Sequence, residues 1–166
     1  MGHDSRTEPP VAAGERETLT GFLDYFRATV VMKASGLSNT DGTRRLVPSL
    51  TTVSGSVQHL TDVELFWFQD RIDGRHDVPT RWSAEDPDGE FRVSEEDSLV
   101  NIIGDYEAAC RQSRDVLERY GLEDRCRAGD GGQSVRWVLV HMIEETGRHC
   151  GHLDILRELL DGSTGD

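Results

Sequence analysis

The chain has 166 residues, a length that suits one domain around one core. Its 31 acidic residues outweigh 18 lysines and arginines, a formal charge of −13. That balance excludes the basic face that a nucleic-acid backbone or an anionic membrane surface requires. No apolar run approaches the roughly 20 residues that span a bilayer, and the polar N-terminus lacks the apolar centre of a signal peptide. Cys110, Cys126 and Cys150 are odd in number and far apart, so a reduced, cytoplasmic protein without disulfides is expected.

Residues 1–14, with Pro9-Pro10 among them, read as a disordered leader. Over 15–34, Leu19, Phe22, Leu23, Phe26 and Val30 keep the three-and-four spacing of an amphipathic helix, which Gly36 ends. The stretch Ser38-Asn39-Thr40-Asp41-Gly42 is dense in turn formers, and Pro48-Ser49 then announces a second helix over 50–72. Its apolar face is Val53, Val57, Leu60, Val63, Phe66 and Trp67, with His59 at its centre. Residues 75–94, containing Pro79, Trp82, Pro87 and Asp88-Gly89, form a connection long enough to serve as a lid or pocket wall. Ser94-Glu95-Glu96-Asp97 gives the third helix a capped, acid-rich start that favours its dipole. This helix is expected to bury Leu99, Ile102, Tyr106 and Cys110 and to stop near Gly121. A second turn-rich loop, 130–134, leads to a fourth helix over 135–160, closed by Gly162. Trp67 and Trp137 are expected in the core. Together these elements predict an all-α fold, an up-and-down four-helix bundle over 15–162 with 163–166 as a tail.

The fourth helix carries an unusual stripe. His141, Glu145, His149 and His152 follow at steps of four, four and three residues, so they lie one above another on one face. The neighbours on that stripe are Val138, Met142, Leu153 and Leu156, so a face that should meet the core carries imidazoles and a carboxylate. Burying such groups unpaired is costly. A divalent metal is the economical compensation, because imidazole nitrogen and carboxylate oxygen are its natural ligands. Glu145 and His149, with His59 from the second helix, would supply three ligands and leave an open coordination position, the mark of a reactive site. His152 and His141 are competing ligands, since a His149–His152 pair also fits one turn; otherwise both are polar groups hydrogen-bonded beside the site. Cys150 follows His149 directly and is expected to be a buried thiol pointing away from the stripe.

At these residues the chain resembles the DinB/YfiT-like superfamily. The carriers are Gly36-Leu37-Ser38, Leu46-Val47-Pro48-Ser49, the run from His59 to Phe68, and above all the run from Glu144 to Glu158. The resemblance implies a four-helix bundle whose metal takes one ligand from helix two and two from helix four, hence His59, Glu145 and His149. Many members have histidine where this chain has Glu145; glutamate there is similar to the pattern of the mycothiol-dependent maleylpyruvate isomerases. Those enzymes carry a further C-terminal domain that has no counterpart here, so isomerisation itself is not expected. The position of His152, often glutamine in the family, implies a place beside the ligands.

The activities the resemblance implies use low-molecular-weight thiols. The expected function is a metal-dependent S-transferase with mycothiol as co-substrate and zinc as the metal, nickel or iron being chemically acceptable. A small-molecule thiol and an electrophile are the expected partners, and a homodimer is the expected assembly. The competing readings are a metal- or ligand-binding stress-response module without turnover, and a secondary-metabolism tailoring enzyme on the same scaffold.

Overall fold

Four apolar stripes need partners, and they find them in one another. The computed structural model of the protein describes residues 6–130 and 132–165. Residues 1–5 of the expected leader, Gly131 of the second turn-rich loop and Asp166 of the tail lie outside the described residues. Residues 6–14 contain no helix or strand; Pro10 lies against Gly21, and Arg6 donates to the Thr29 hydroxyl at 3.1 Å.

The first helix, α1, spans Glu15–Ala34 as its periodicity predicts. A short helix, α2 (Asn39–Thr43), falls inside the predicted turn, capped by the Ser38 hydroxyl, which accepts the Asp41 amide. Helix α3 (Val53–Glu64) starts later than predicted because Thr52 is the cap: its hydroxyl accepts the Gly55 amide at 3.0 Å. Helix α4 (Leu99–Leu117) also starts later. Ser98 caps it, while Ser94 and Asp97 close a small turn of their own. Helix α5 (Val135–Asp161) runs from the Ser134 cap to Gly162, which ends it in the left-handed conformation.

The predicted second helix does not stay α-helical to its end. From Leu65 to Ile72 the backbone winds as a π-helix, and the Asp73 amide reaches the Phe68 carbonyl five residues back at 3.1 Å. The wider turn changes the phase of the stripe. Phe68 and Ile72 become the fully buried residues, while Val63, Phe66 and Trp67 are half-buried. Trp137, expected in the core, is 48% exposed. It stands one residue before Val138, which takes the inward position, and its ring packs on Trp67 and His141 along the outer edge of the α5 face.

The buried side chains form two clusters that set the helix directions. One joins Leu23 of α1 and Val135, Val138 and Met142 of α5 to Phe68, Ile72 and Val116 at the far ends of the π-helix and α4. The other joins Val30 and Ala34, late in α1, and Leu153, late in α5, to Val53 and Val57, early in α3, and Ile102 and Tyr106, early in α4. Helices α1 and α5 therefore run parallel, and α3 and α4 run together in the opposite sense. The four-helix bundle is up-down-down-up and departs from strict alternation. The connection over 73–98 makes this possible, since two parallel neighbours require a crossover along the length of the bundle.

Between the two clusters sits a buried ion pair. Arg27 Nε and Nη2 donate to both oxygens of Glu64 at 2.7 and 2.6 Å, and both side chains are almost fully buried. Burial opposes the charge on Arg27, but Glu64 outweighs it and holds the guanidinium protonated. The fork geometry fixes α3 against α1 one turn beyond His59. Removing Glu64 strips the buried Nε and Nη2 of their acceptors and leaves the guanidinium only the partly exposed Asp24, 2.9 Å from Nη1. Glu64→Ala is expected to lower stability by about 3–5 kcal/mol, read from urea denaturation monitored by far-UV circular dichroism; a loss under about 1 kcal/mol would show that the pair is not the strut described.

Candidate metal centre

The antiparallel packing of α3 against α5 brings His59, Glu145 and His149 to one point of the seam. Glu145 and His149 are four residues apart on α5 and share a face; His59 enters from the middle of α3. Glu145 Oε1 is 3.2 Å from His59 Nε2 and 3.2 Å from His149 Nε2. The three ligand-type atoms all lie within 4.8 Å of one another. A tetrahedral divalent ion with bonds of about 2.1 Å would hold its ligand atoms about 3.4 Å apart. The nitrogen–oxygen donor set and its spacing fit such an ion. A close approach of α1 helps to set the seam: a β-carbon at Gly147, between the two α5 residues, would sit 3.3 Å from the Phe26 ring.

Electrostatics favour the anionic carboxylate. The hydrogen bond with His149, then that with His59, holds the Glu145 carboxyl well below the usual range against the opposing effect of burial. The second oxygen, Oε2, meets Arg148 Nη1 at 3.3 Å, and Arg148 also pairs with Glu144 on the surface. His149 is buried, and its Nδ1 has no hydrogen-bond partner among the described residues.

The other stripe residues lie outside this cluster. His152 is exposed, with its ring edge-on to His149 at 5.2 Å between centroids. His141 stacks on Trp137 at 5.2 Å and meets Trp67 edge-on at 4.9 Å, an aromatic neighbourhood one turn before Glu145. Cys150 is buried as expected: Sγ donates to the Phe26 carbonyl at 3.5 Å, and burial pushes the thiol up to about 12, which keeps it from acting as a nucleophile.

Two residues that sequence reasoning did not single out complete the surroundings of His59. Glu90 Oε1 lies 3.3 Å from His59 Nδ1, and the Phe91 ring stacks on the imidazole with centroids 4.7 Å apart and planes at 17°. Both belong to a single 3₁₀ turn, Gly89–Phe91, in the long connection. Its length was the signal that it matters; no periodicity marks which of its residues turn inward.

A helical bundle with a three-residue, metal-competent cluster on two facing helices is thus the class that fold and site define. The chain matches the family model for mycothiol-S-transferase over residues 18–162 and belongs to that family, which is DinB/YfiT-like. No curated protein and no solved structure matches it. Among the described residues, no helix is long and apolar enough to cross a membrane.

The depressed Glu145 carboxyl carries a pH signature. A carboxyl whose folded value lies below its ordinary 4.5 binds protons more readily in the unfolded chain. Its contribution to stability is therefore complete above about 4.5 and is lost as pH falls below it. Metal-free protein is expected to lose stability on acidification through this range, and Glu145→Gln to flatten that limb, in thermal melts between neutral and acid pH. Parallel curves for the two proteins would contradict the arrangement.

Proposed function

We propose that the protein is a metal-dependent S-transferase that joins mycothiol, or a thiol of the same type, to an electrophilic small molecule. Membership of the mycothiol-S-transferase family supports the thiol, and the convergence of His59, Glu145 and His149 is the observation that carries the metal dependence. These three residues would hold the ion, zinc being the first choice because it accepts nitrogen, oxygen and sulfur ligands without redox change, with nickel or iron accepted by the same donors. A divalent ion bound there supplies positive charge that favours the thiolate, the nucleophilic form of a thiol.

The chain's own residues set up the rest. As ligands the two imidazoles would be neutral and Glu145 anionic, so the donor set would carry a single negative charge and leave a bound divalent ion net positive. Three protein ligands leave a coordination position for a small molecule. Arg148 holds the second oxygen of Glu145, which keeps the first turned toward the two histidines. The Phe91 ring covers one face of His59 and keeps water from it. The nearest cysteine on α5, Cys150, is protonated and turned to α1, so the nucleophilic sulfur belongs to the co-substrate.

Elemental analysis is expected to give about one divalent ion per chain, with His59→Ala and His149→Ala each depleting it; unchanged content in both variants would remove the ligand assignment. Zinc-loaded protein with mycothiol and a panel of electrophiles, such as a chlorodinitroarene and a bromobimane, is expected to form thioether at a rate at least about a hundredfold above His149→Ala, the scale on which loss of a metal's charge stabilisation acts. A loaded protein no faster than that variant across the panel would leave a binding module in place of an enzyme.

A further inference from the structure

The connection between α3 and α4 is built onto one face of α3, and the residues that seat it recur at helical spacing around His59: Gly55, Gln58 and Asp62. Gly55 stands one turn before His59. A β-carbon there would come 3.0 Å from the Phe91 carbonyl oxygen, 3.0 Å from the Thr52 hydroxyl and 3.4 Å from the Phe91 Cα, so glycine lets this backbone lie close where a larger residue would push it back by a few tenths of an ångström. Gln58 donates from Nε2 to the Glu90 carbonyl at 2.7 Å. Asp62, fully buried one turn after Gln58, accepts the Arg81 amide at 2.9 Å and pairs with the Arg81 guanidinium. The segment is also tied to itself, since Arg92 pairs with Asp86 at 2.8 Å through Nε.

These anchors have one result at the site. They press Glu90, 7% exposed, and Phe91 onto the same imidazole. A carboxylate only accepts hydrogen bonds, so the ring nitrogen facing it, Nδ1, must carry a proton. The other nitrogen, Nε2, faces Glu145 and His149 and also meets a carboxylate, so without an ion both ring nitrogens have an acceptor; an ion held at Nε2 would leave the ring proton on Nδ1 with Glu90. The stacked Phe91 ring restrains rotation of the imidazole out of its plane.

We propose that Glu90 and Phe91 are positioning residues for His59: Glu90 selects the tautomer that presents Nε2 to the ion, Phe91 fixes the ring plane, and the Gly55–Gln58–Asp62 face of α3 holds both in register. This rests on the reading of His59 as a ligand. The first part, the hydrogen bond itself, does not need the ion.

Three variants test it: Glu90→Ala, Glu90→Gln and Gly55→Ala. Zinc affinity is measured by competition with a chromophoric chelator, and the ring protons and nitrogens of His59 are followed by long-range ¹H–¹⁵N NMR. Glu90→Ala is expected to weaken zinc binding by about 10–100-fold, the usual effect of losing an outer partner of a ligating histidine. It is also expected to abolish the hydrogen-bonded Nδ1 proton. Glu90→Gln, whose amide oxygen still accepts from Nδ1, should recover a large part of both. Gly55→Ala should weaken binding without touching any ligand, because the added methyl presses on the Phe91 backbone and shifts it by a few tenths of an ångström. If Glu90→Ala fails to fold, Glu90→Gln and Gly55→Ala carry the test alone. Wild-type affinity with an unchanged His59 signal in the folded variants overturns the proposal. If the wild-type chain binds no zinc, the ligand reading fails by itself, and the His59 signal of the metal-free proteins decides the role of Glu90. A Nδ1 proton lost on Glu90→Ala sustains that role, and one that persists overturns it.

Discussion

Two imidazoles share one carboxylate oxygen inside the seam between α3 and α5, and the surrounding structure is arranged to make that sharing possible. A carboxylate at that depth, left alone, would shed its charge by taking up a proton. Here the histidines hold it ionised, and the arginine one turn on occupies its other oxygen. The spacing that results suits a divalent ion as well as it suits the hydrogen bonds, since an N–H donating to a carboxylate oxygen and two lone pairs directed at one ion both set nitrogen and oxygen about 3–3.5 Å apart.

That convergence demands rigid helices on both sides. The up-down-down-up order gives α3 an antiparallel partner in α5, which sets His59 opposite the Glu145–His149 turn. The Arg27–Glu64 fork ties α3 to α1, and α1 packs on the later half of α5 through Phe26, Val30 and Lys33. The ion pair does not drive folding, because the apolar clusters above and below it supply the burial. Its contribution is registry, since a bidentate pair tolerates little sliding of one helix along the other. The connection over 73–98 has a double use. It carries the chain back along the bundle, as two parallel helices require, and on the way it lays Glu90 and Phe91 against His59.

Much of this was legible before any coordinates. The limits of α1 and α5 follow from unbroken three-and-four spacing together with clear end signals, Ser134 and Gly162 for α5. His59, Glu145 and His149 stood out because charged or polar groups occupied positions where the period demanded apolar ones. Other features were hidden for physical reasons. The π-helical winding over Leu65–Ile72 shifts the stripe by about one residue across two turns, too short a run for periodicity to separate from an α-helix. The expected cap of α4 at Ser94–Asp97 gives way to Ser98, four residues on, and that start is tied to a long-range bond, Leu99 N to Asn39 Oδ1 at 3.0 Å. His141 shares the stripe by angle alone, but the aromatic rings of Trp67 and Trp137 claim it. Glu90 was beyond reach because its partner lies 31 residues away across a segment without period.

The central claim is that the three residues at the α3–α5 seam bind one ion together. X-ray diffraction from zinc-loaded crystals, collected on both sides of the zinc absorption edge, tests it most directly. The account predicts a single strong anomalous peak within bonding distance of His59 Nε2, Glu145 and His149 Nε2. A peak elsewhere, or none there in fully loaded protein with the two histidines still bonded to Glu145, would contradict it.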